Sequence, residues 1–578
     1  MKSRPTPFAS LLLIFVLLSG ATVAPAALGA QSQQQRERRV STPAPAGTQR
    51  PTPTPLRSPT PAPTATPWAT GARPSATPLP SATPFATPTP ANGRTAAAPQ
   101  TVEELRARIQ EITRRPEFAS SQLAVKVASL DTGRVLFEEN ANKWMQPASN
   151  MKLYTVAAAL ERFSPDYRFV TSVYAPQRPD ASGTVRGDLI VYGRGDPTFA
   201  TRFNGDAAGD YYRGLDELAA SIVAAGVKRV EGDLVGDESY FAGGPLAPGW
   251  EWDDLQWWYG AEVSALSVND NSVDLTVKPG ARVGDPCTIT VGPSTPLVTV
   301  LDRTTTTQRG ATRELGVHRP LGQNVLEVTG SLPLDDRGYT ASVAVSRPAM
   351  MFASMLRTSL ERRGVVVSGR TRTIDAQERT RTPLQVSSLV EIAMRQSPPL
   401  SVIAAQTLKP SQNLYTELLL RALGKAAAAG DAQKTSEEAG IKAVRDFARG
   451  AGIDDSKLVI LDGSGLSRGN LVTAATTLQL LVYMNRHRYG AAFREALPIA
   501  GVDGTLRNRM KGSAAMNNVR AKTGTLSSAT SLSGYVFAAS GERLVFSLMI
   551  NNPPRDTDPR TGFTDAIALL LASFAGRS

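Results

Sequence analysis

The sequence predicts an α/β domain interrupted by a β-rich insertion, and three observations carry that prediction. Helical patterns frame the ordered part of the chain. Short β-like runs separated by Gly, Pro and Asp turns fill its middle, from about residue 172 to 395. Strand patterns then return near the C-terminus and are closed by one helix. The 578 residues leave room for roughly three or four domains of about 150 residues each.

Residues 1–30 have the layout of a secretion signal. Lys2 and Arg4 give a positive start, Phe8 to Leu18 is a short apolar stretch, and the small residues that follow allow cleavage after Ala26 or Ala30. The apolar run falls short of the ~20 residues of a membrane span, so membrane contact is expected at most through this N-terminus. No cysteine lies nearby, which excludes a lipid anchor. Residues 31–99 are a Pro/Thr/Ala/Ser tract, as in Pro51-Thr52-Pro53-Thr54-Pro55. With few apolar side chains and many missing backbone donors, it is expected to be an extended, disordered linker.

Order is expected from about residue 100. Val102-Glu103-Glu104-Leu105 opens an amphipathic helix. Leu123 to Leu130 alternates as a strand, Asp131-Thr132-Gly133 turns, and Val135-Leu136-Phe137 returns as the second strand of a hairpin. Ser149 to Phe163 has helical periodicity, with Met151, Tyr154 and Ala158 on its apolar face. The first part of the main domain therefore covers 100–171 and the inserted β-rich domains 172–398. Within the insertion, Asp188 to Tyr192 and Ser342 to Val345 are β-like, and Leu215 to Ala225 is helical. The second part of the main domain covers 399–578. It has helical patterns at Leu414–Ala422, Glu437–Gly450 and Ala474–Asn485, strands at Arg520–Gly524, Ser531–Ala538 and Leu544–Asn551, and a closing amphipathic helix at Thr564–Phe574.

Composition removes several function classes. Cys287 is the only cysteine, so an intramolecular disulfide and a cysteine zinc cluster are both excluded. His318 and His487 lie 169 residues apart and form no metal-ligand pattern, so no metal or other cofactor is expected. The net charge of +12 is uneven. Residues 1–100 carry nine basic residues and one acid, a net of +8, which leaves +4 for the rest. The body has no basic run with interleaved aromatics, so nucleic acid is not an expected partner.

The chemistry lies in three motifs. Ser149 and Lys152 are three residues apart, and three positions on a helix share a face. A serine near a helix N-terminus feels a positive field. A lysine that is buried, or that lies near a second cation, loses basicity and can take a proton. Lys522 is the candidate second cation. Alone, the Ser/Lys pair also fits an exposed helix. Ser411-Gln412-Asn413 adds a hydroxyl to relay a proton and an amide to orient a backbone, although Ser267-Val268-Asn269 has the same form. Lys522-Thr523-Gly524 occurs once. Its glycine lets a peptide lie close along a strand edge, and its lysine and threonine can hold a carboxylate. An edge strand blunted by a lysine is the structural alternative.

In this order, after a hairpin and before two more strands and a helix, the motifs resemble the penicillin-recognising serine transferases. That fold is β-lactamase-like, with a sheet flanked by helices. The long insertion between the first two motifs narrows the resemblance to the D-alanyl-D-alanine carboxypeptidase/endopeptidases of peptidase family S13, of penicillin-binding protein 4 type. Gly195-Asp196-Pro197-Thr198, Ser264 to Asn269, Asp462 to Ser467 and Gly501 to Leu506 look like that family too, and the likeness covers roughly 101–578. It implies Ser149 as nucleophile, Lys152 as general base, Ser411 near the leaving nitrogen with Asn413 beside it, and Lys522, Thr523 and Gly524 as the third motif. It also implies that Thr525 binds the substrate carboxylate and that the N–H groups of Ser149 and Thr525 form an oxyanion hole.

Asp254 matches an aspartate that recognises a free amine of the stem peptide, with Asp253 beside it as the alternative register. Trp250, Trp257 and Tyr259 either wall that pocket or form an aromatic core under a loop. The resemblance implies an extracytoplasmic serine-type D-Ala-D-Ala carboxypeptidase acting on peptidoglycan stem peptides, with β-lactams as covalent inhibitors and no cofactor. A β-lactamase is the first alternative, although no Glu-x-x-Leu-Asn motif follows Ser411. A non-catalytic peptidoglycan-binding protein is the second.

Overall fold

The computed structural model describes residues 98–205, 209–383, 385–427 and 434–578. The expected signal segment, and the proline-rich tract up to residue 97, lie outside the described residues. The central element is a five-stranded antiparallel sheet. From one edge its order is Arg520–Leu526, Ala529–Phe537, Arg543–Asn551, Gln122–Ser129 and Val135–Glu139. Strands from the two ends of the domain thus meet in mid-sheet, with Gln122 opposite Asn551 and Ser129 opposite Leu544.

Both faces of this sheet are covered. Leu105 and Ile109 of the helix Val102–Thr113, and Ile567 and Leu571 of the helix Ala566–Ser573, pack on Val125, Val127, Phe546 and Leu548. On the other face Ala124, Ala128, Val545 and Met549 meet Met151, Tyr154 and Leu160 of the helix Met151–Phe163, and Leu478 and Leu481 of the helix Ala474–Arg486. This burial explains a departure from the expected apolar–polar alternation. A central strand covered on both sides is apolar almost throughout, and six of the eight residues of Gln122–Ser129 are buried.

The Met151–Phe163 helix also departs from the one-face expectation. All ten positions from Met151 to Leu160 are buried, as in a helix at the centre of a bundle. The closing segment differs as well. It begins as a π-type turn at Arg560–Asp565, and the α-helix starts only at Ala566.

The segment between Phe163 and Leu400 builds a mixed sheet in the order Thr371–Ile374, Leu234–Asp237, Leu189–Tyr192, Val170–Ala175 and Val390–Gln396, and three three-stranded sheets besides. It is less purely β than its turn-rich sequence suggests. The helix Pro348–Glu361, unmarked by any turn signal, buries Met351, Phe352, Met355 and Leu356 against the helix Arg213–Ala224 and the sheet. Its first and last strands, Val170–Ala175 and Val390–Gln396, pair side by side and antiparallel. The chain therefore leaves and re-enters at neighbouring points. That leaves the helix Leu400–Leu408 free to pack on Met151–Phe163 in one core.

Candidate active site

Ser149 is not inside the α-helix. It lies in a 3-10 turn, Ala148–Asn150, that leads into Met151–Phe163, and its side chain is half-buried while its neighbours Ala148 and Asn150 are buried. The turn is strained, because Ala148 has φ 47°, the left-handed region that costs a non-glycine residue energy.

Close packing holds this turn in place. A Cβ at Gly465 (φ +81°) would stand 1.9 Å from the Ala148 carbonyl oxygen, and one at Gly524 would stand 2.7 Å from the Pro147 oxygen. Ser531 Oγ donates to the Pro147 carbonyl at 2.7 Å. Asn150 Nδ2 donates to Ser531 Oγ at 2.6 Å and to the Lys522 carbonyl at 3.1 Å. The glycine of the third motif therefore serves the approach of the serine turn to the sheet. This demand stands beside the expected room for a substrate along the strand.

Lys152 is fully buried one turn after Ser149. Its Nζ lies 3.0 Å from Ser149 Oγ, 2.6 Å from Asn413 Oδ1 and 2.7 Å from the Ser464 carbonyl oxygen. The Asn413 Oδ1 and the Ser464 carbonyl oxygen are acceptors, so they fix two of the amine hydrogens. The third direction, toward Ser149, then carries either a proton or a lone pair. Burial pushes the Lys152 amine down to about 7 against the opposing fields of Asp462 and Glu417. Lys522 is also fully buried, and burial and then the charge of Lys152 push it well below the usual lysine range. Of the two expected routes to a depressed Lys152, burial or a second cation, burial is the first cause.

Lys522 Nζ donates to Ser411 Oγ at 2.8 Å and to the Thr523 carbonyl at 2.8 Å. Ser411 has φ 65° and begins the turn into the helix Asn413–Ala427. The Asn413 amide is occupied at both ends, since Nδ2 donates to the Tyr259 carbonyl at 2.8 Å. It ties Lys152 to the inserted segment and keeps a second N–H and a second lone pair. Thr523 is buried, with its hydroxyl 2.7 Å from that of Thr505. Thr525 is exposed opposite Thr530, on the edge strand of the sheet.

The three motifs therefore converge. The aromatic and acidic residues of the insertion are less uniform. Trp250 Nε1 donates to Asp462 Oδ2 at 2.9 Å, which anchors it to the loop beneath Lys152. Trp257 packs with the core of the insertion instead of a pocket wall. Tyr259 is half-buried, and its hydroxyl is pushed up to about 12, first by burial and then by Asp254. Asp254 accepts from Arg468 Nη1 at 3.0 Å, and Arg468 Nε lies 2.9 Å from Glu251. The expected amine-recognising Asp254 thus has an arginine partner that the sequence did not reveal. Asp253 is exposed. Glu251, Asp253 and Asp254 place carboxylate oxygens within 4.8 Å of one another, and the Arg468 guanidinium supplies a cation to two of them. The Arg468 carbonyl accepts from Gln146 Nε2 at 3.1 Å, so this cluster stands close to the Ser149 turn.

Sequence reasoning passed over Asn150, Glu417, Arg468 and Ser531, and it gave Asp462 and Thr505 no role. For the last two a signal existed in the passages Asp462 to Ser467 and Gly501 to Leu506. Two cavities of about 670 and 570 Å³ open beside Glu161, Tyr483 and Arg488, at the end of the Met151–Phe163 helix away from Ser149, and no motif residue lines them. His487 bonds to Glu161 there, at 2.8 Å.

Comparison with known proteins identifies the family. The family model described as "D-Ala-D-Ala carboxypeptidase 3 (S13) family" matches residues 105–574. A D-alanyl-D-alanine carboxypeptidase of Actinomadura sp. (strain R39) is 36% identical over 484 residues, covering 82% of this chain and 85% of that protein. The D-alanyl-D-alanine carboxypeptidase DacB of Haemophilus influenzae is 27% identical over 452 residues, 77% of this chain and 88% of its own. The crystal structure of penicillin binding protein 4 (dacB) from Haemophilus influenzae matches with a TM-score of 0.68 at 24% identity, over 80% of this chain and 97% of that one, a likeness of fold.

Proposed function

The chain belongs to the D-Ala-D-Ala carboxypeptidase (S13) family, and from that premise we infer that it is a penicillin-binding D-Ala-D-Ala carboxypeptidase that works through a serine acyl-enzyme. One observation carries the serine assignment. A fully buried amine has two of its three hydrogen-bond directions fixed by acceptors, and its third faces Ser149 Oγ at 3.0 Å.

Ser149 Oγ attacks the carbonyl between the two terminal D-alanines, and its proton passes to Lys152 Nζ. The N–H groups of Ser149 and Thr525 receive the negative oxygen. As the C–N bond breaks, a proton reaches the leaving amine through Ser411, whose hydroxyl is held by Lys522 at 2.8 Å. Free D-alanine leaves, and water then cleaves the ester and restores Ser149. The substrate carboxylate lies by Lys522, Thr523 and Thr525. An anion there favours the charged form of Lys522, and that charge in turn favours a neutral Lys152. With a cross-linked stem as substrate the same steps cut the cross-link. A strained β-lactam amide enters the same route and stops at the ester.

This substrate lies outside the cytoplasmic membrane, so the enzyme is placed there, reached by the expected N-terminal signal. Among the described residues no helix is long and apolar enough to cross a membrane. The test is the release of D-alanine from a stem peptide ending in D-Ala-D-Ala. Release is expected from the parent and absent from Ser149→Ala. A folded parent that releases none contradicts the assignment.

The rate is expected to depend on pH through Lys152. A base must be neutral, so kcat/KM should rise about tenfold per unit toward an inflection near 7. A profile without that ascending limb, measured by D-alanine release, counts against Lys152 as base.

Asp254 and Arg468 together fit a stem-peptide end that offers both an ammonium and a carboxylate, each pairing with its opposite. Arg468→Gln is expected to raise KM for such a peptide about tenfold or more, since charged hydrogen bonds are worth ~1.5–3 kcal/mol. Acylation by a penicillin lacking that end should change little. Equal losses on both substrates argue for a structural role of Arg468.

A further inference from the structure

Lys152 is faced by three ionisable groups from three other elements: Asp462 from the loop after Ile460, Lys522 from the edge strand, and Glu417 from the helix Asn413–Ala427. Two of them have evident employment. Lys522 holds Ser411. The Asp462 carboxylate accepts from Gly465 N–H at 2.7 Å, Ser467 N–H at 2.7 Å, Asn470 Nδ2 at 2.8 Å, Trp250 Nε1 at 2.9 Å and Ser464 Oγ at 3.3 Å, which makes it the knot of its loop.

Glu417 is different. It is fully buried, and its oxygens accept from the Gly463 N–H at 3.2 Å and the Ser464 N–H at 2.8 Å. The same short stretch is gripped from the other side. Thr155 Oγ1 donates to the Gly463 carbonyl at 2.9 Å, and Lys152 Nζ donates to the Ser464 carbonyl at 2.7 Å. One peptide stretch therefore joins the Glu417 carboxylate to the Lys152 amine.

We propose that Glu417 is a positioning residue for Lys152, holding the Gly463–Ser464 stretch that receives the amine and setting by its own charge how firmly that amine keeps its proton. The inference rests on Lys152 being the base. A buried carboxylate is costly unless its charge is compensated, and two backbone donors compensate it only in part. Burial first, and then the charge of Asp462, push the Glu417 carboxyl above the usual carboxylate range, with Glu437 from the helix Ser436–Gly450 adding to the push. Arg421, one turn along the same helix, faces Glu437, Glu417 and Glu238. Glu417 is thus a buried acid joined to the Lys152 amine through one peptide stretch, so a charge on it acts on that amine. When it is ionised it strengthens the hold of Lys152 on its proton, and when it is neutral it releases that hold.

The test is the rate of acylation of the full chain by a fluorescent penicillin, measured against pH. Glu417→Gln keeps an acceptor for the Ser464 N–H and removes the charge. Its ascending limb is expected to move to lower pH by about half a unit or more. A limb at the parent's position with only the plateau reduced overturns the proposal, because a purely structural residue lowers the rate at every pH alike. Glu417→Asp carries the test if the glutamine form is not recovered folded. It retains the carboxylate, so its limb should stay at the parent's position while its plateau falls. A limb displaced in that variant overturns the proposal as well. A folded parent that takes no label, or label that survives Ser149→Ala, strikes the assignment of the nucleophile first and removes the basis of the proposal with it.

Discussion

Lys152→Met is expected to lower the rate of β-lactam acylation about a thousandfold, with the fold retained. Methionine has nearly the length of lysine and no basic nitrogen to accept the serine proton. The variant leaves Ser149 Oγ without the amine that lies 3.0 Å away, and general-base catalysis contributes about 10²–10⁴-fold. Stability should suffer less than activity. A fully buried amine pushed down to about 7 already costs folding free energy below its unfolded value of 10.5. The unfolded chain binds the proton more tightly, so stability due to this group rises with pH between about 7 and 10.5 and is lowest below 7. An uncharged methionine escapes that cost and gives up the bonds to Asn413 and Ser464. The melting temperature at pH 7 is therefore expected to stay within a few degrees of the parent. A large loss of acylation with an unchanged melting temperature identifies a chemical role. A matched loss of both points to a packing role.

Gly465→Ala is expected to be the most damaging one-carbon change near the site. The added carbon would stand 1.9 Å from the Ala148 carbonyl and 2.6 Å from the carbonyl carbon, both backbone atoms that cannot swing aside, and the position has φ +81°. Overpacking costs about 1–3 kcal/mol, and the left-handed conformation of a non-glycine residue about 1–3 kcal/mol more. The turn that must yield carries Ser149, so acylation should fall about a hundredfold or more even in the folded fraction, as for a misplacement of about 1 Å. Gly133→Ala supplies the control, since Gly133 has φ +76° and nothing within 4 Å of an added Cβ. It should show the conformational cost alone, with acylation at the parent's rate. Equal acylation in the two variants would mean that the clamp on Ala148 does not position the serine.

These two expectations draw on different layers of information. The Ser149/Lys152 pair, Ser411, Asn413 and Lys522 were legible because their spacing and order along the chain are local signals, and the flanking strand and helix patterns were strongly periodic. Glu417 and Arg468 were not. Glu417 and Arg468 act through partners remote in sequence, Ser464 for Glu417 and Asp254 for Arg468, and an acid or arginine inside a helical or glycine-rich run carries no mark of burial. Gly524 was legible as a demand for close approach, while the object approaching, the Pro147–Ala148 turn, came from another part of the chain. The arginine partner of Asp254 was not legible because it lies 214 positions away. In the fold, the Pro348–Glu361 helix was missed because its small and apolar residues lie among turn-rich β segments, where tertiary packing on the insertion's core decides the conformation.

The central claim is that Ser149, served by the buried amine of Lys152, is the acylated residue. Mass spectrometry of the protein after exposure to benzylpenicillin, followed by peptide mapping, tests it directly. One penicilloyl group per chain is expected, on the peptide containing Ser149, with none on the Ser149→Ala protein. An adduct mapped to any other residue, or one that persists in Ser149→Ala, contradicts it.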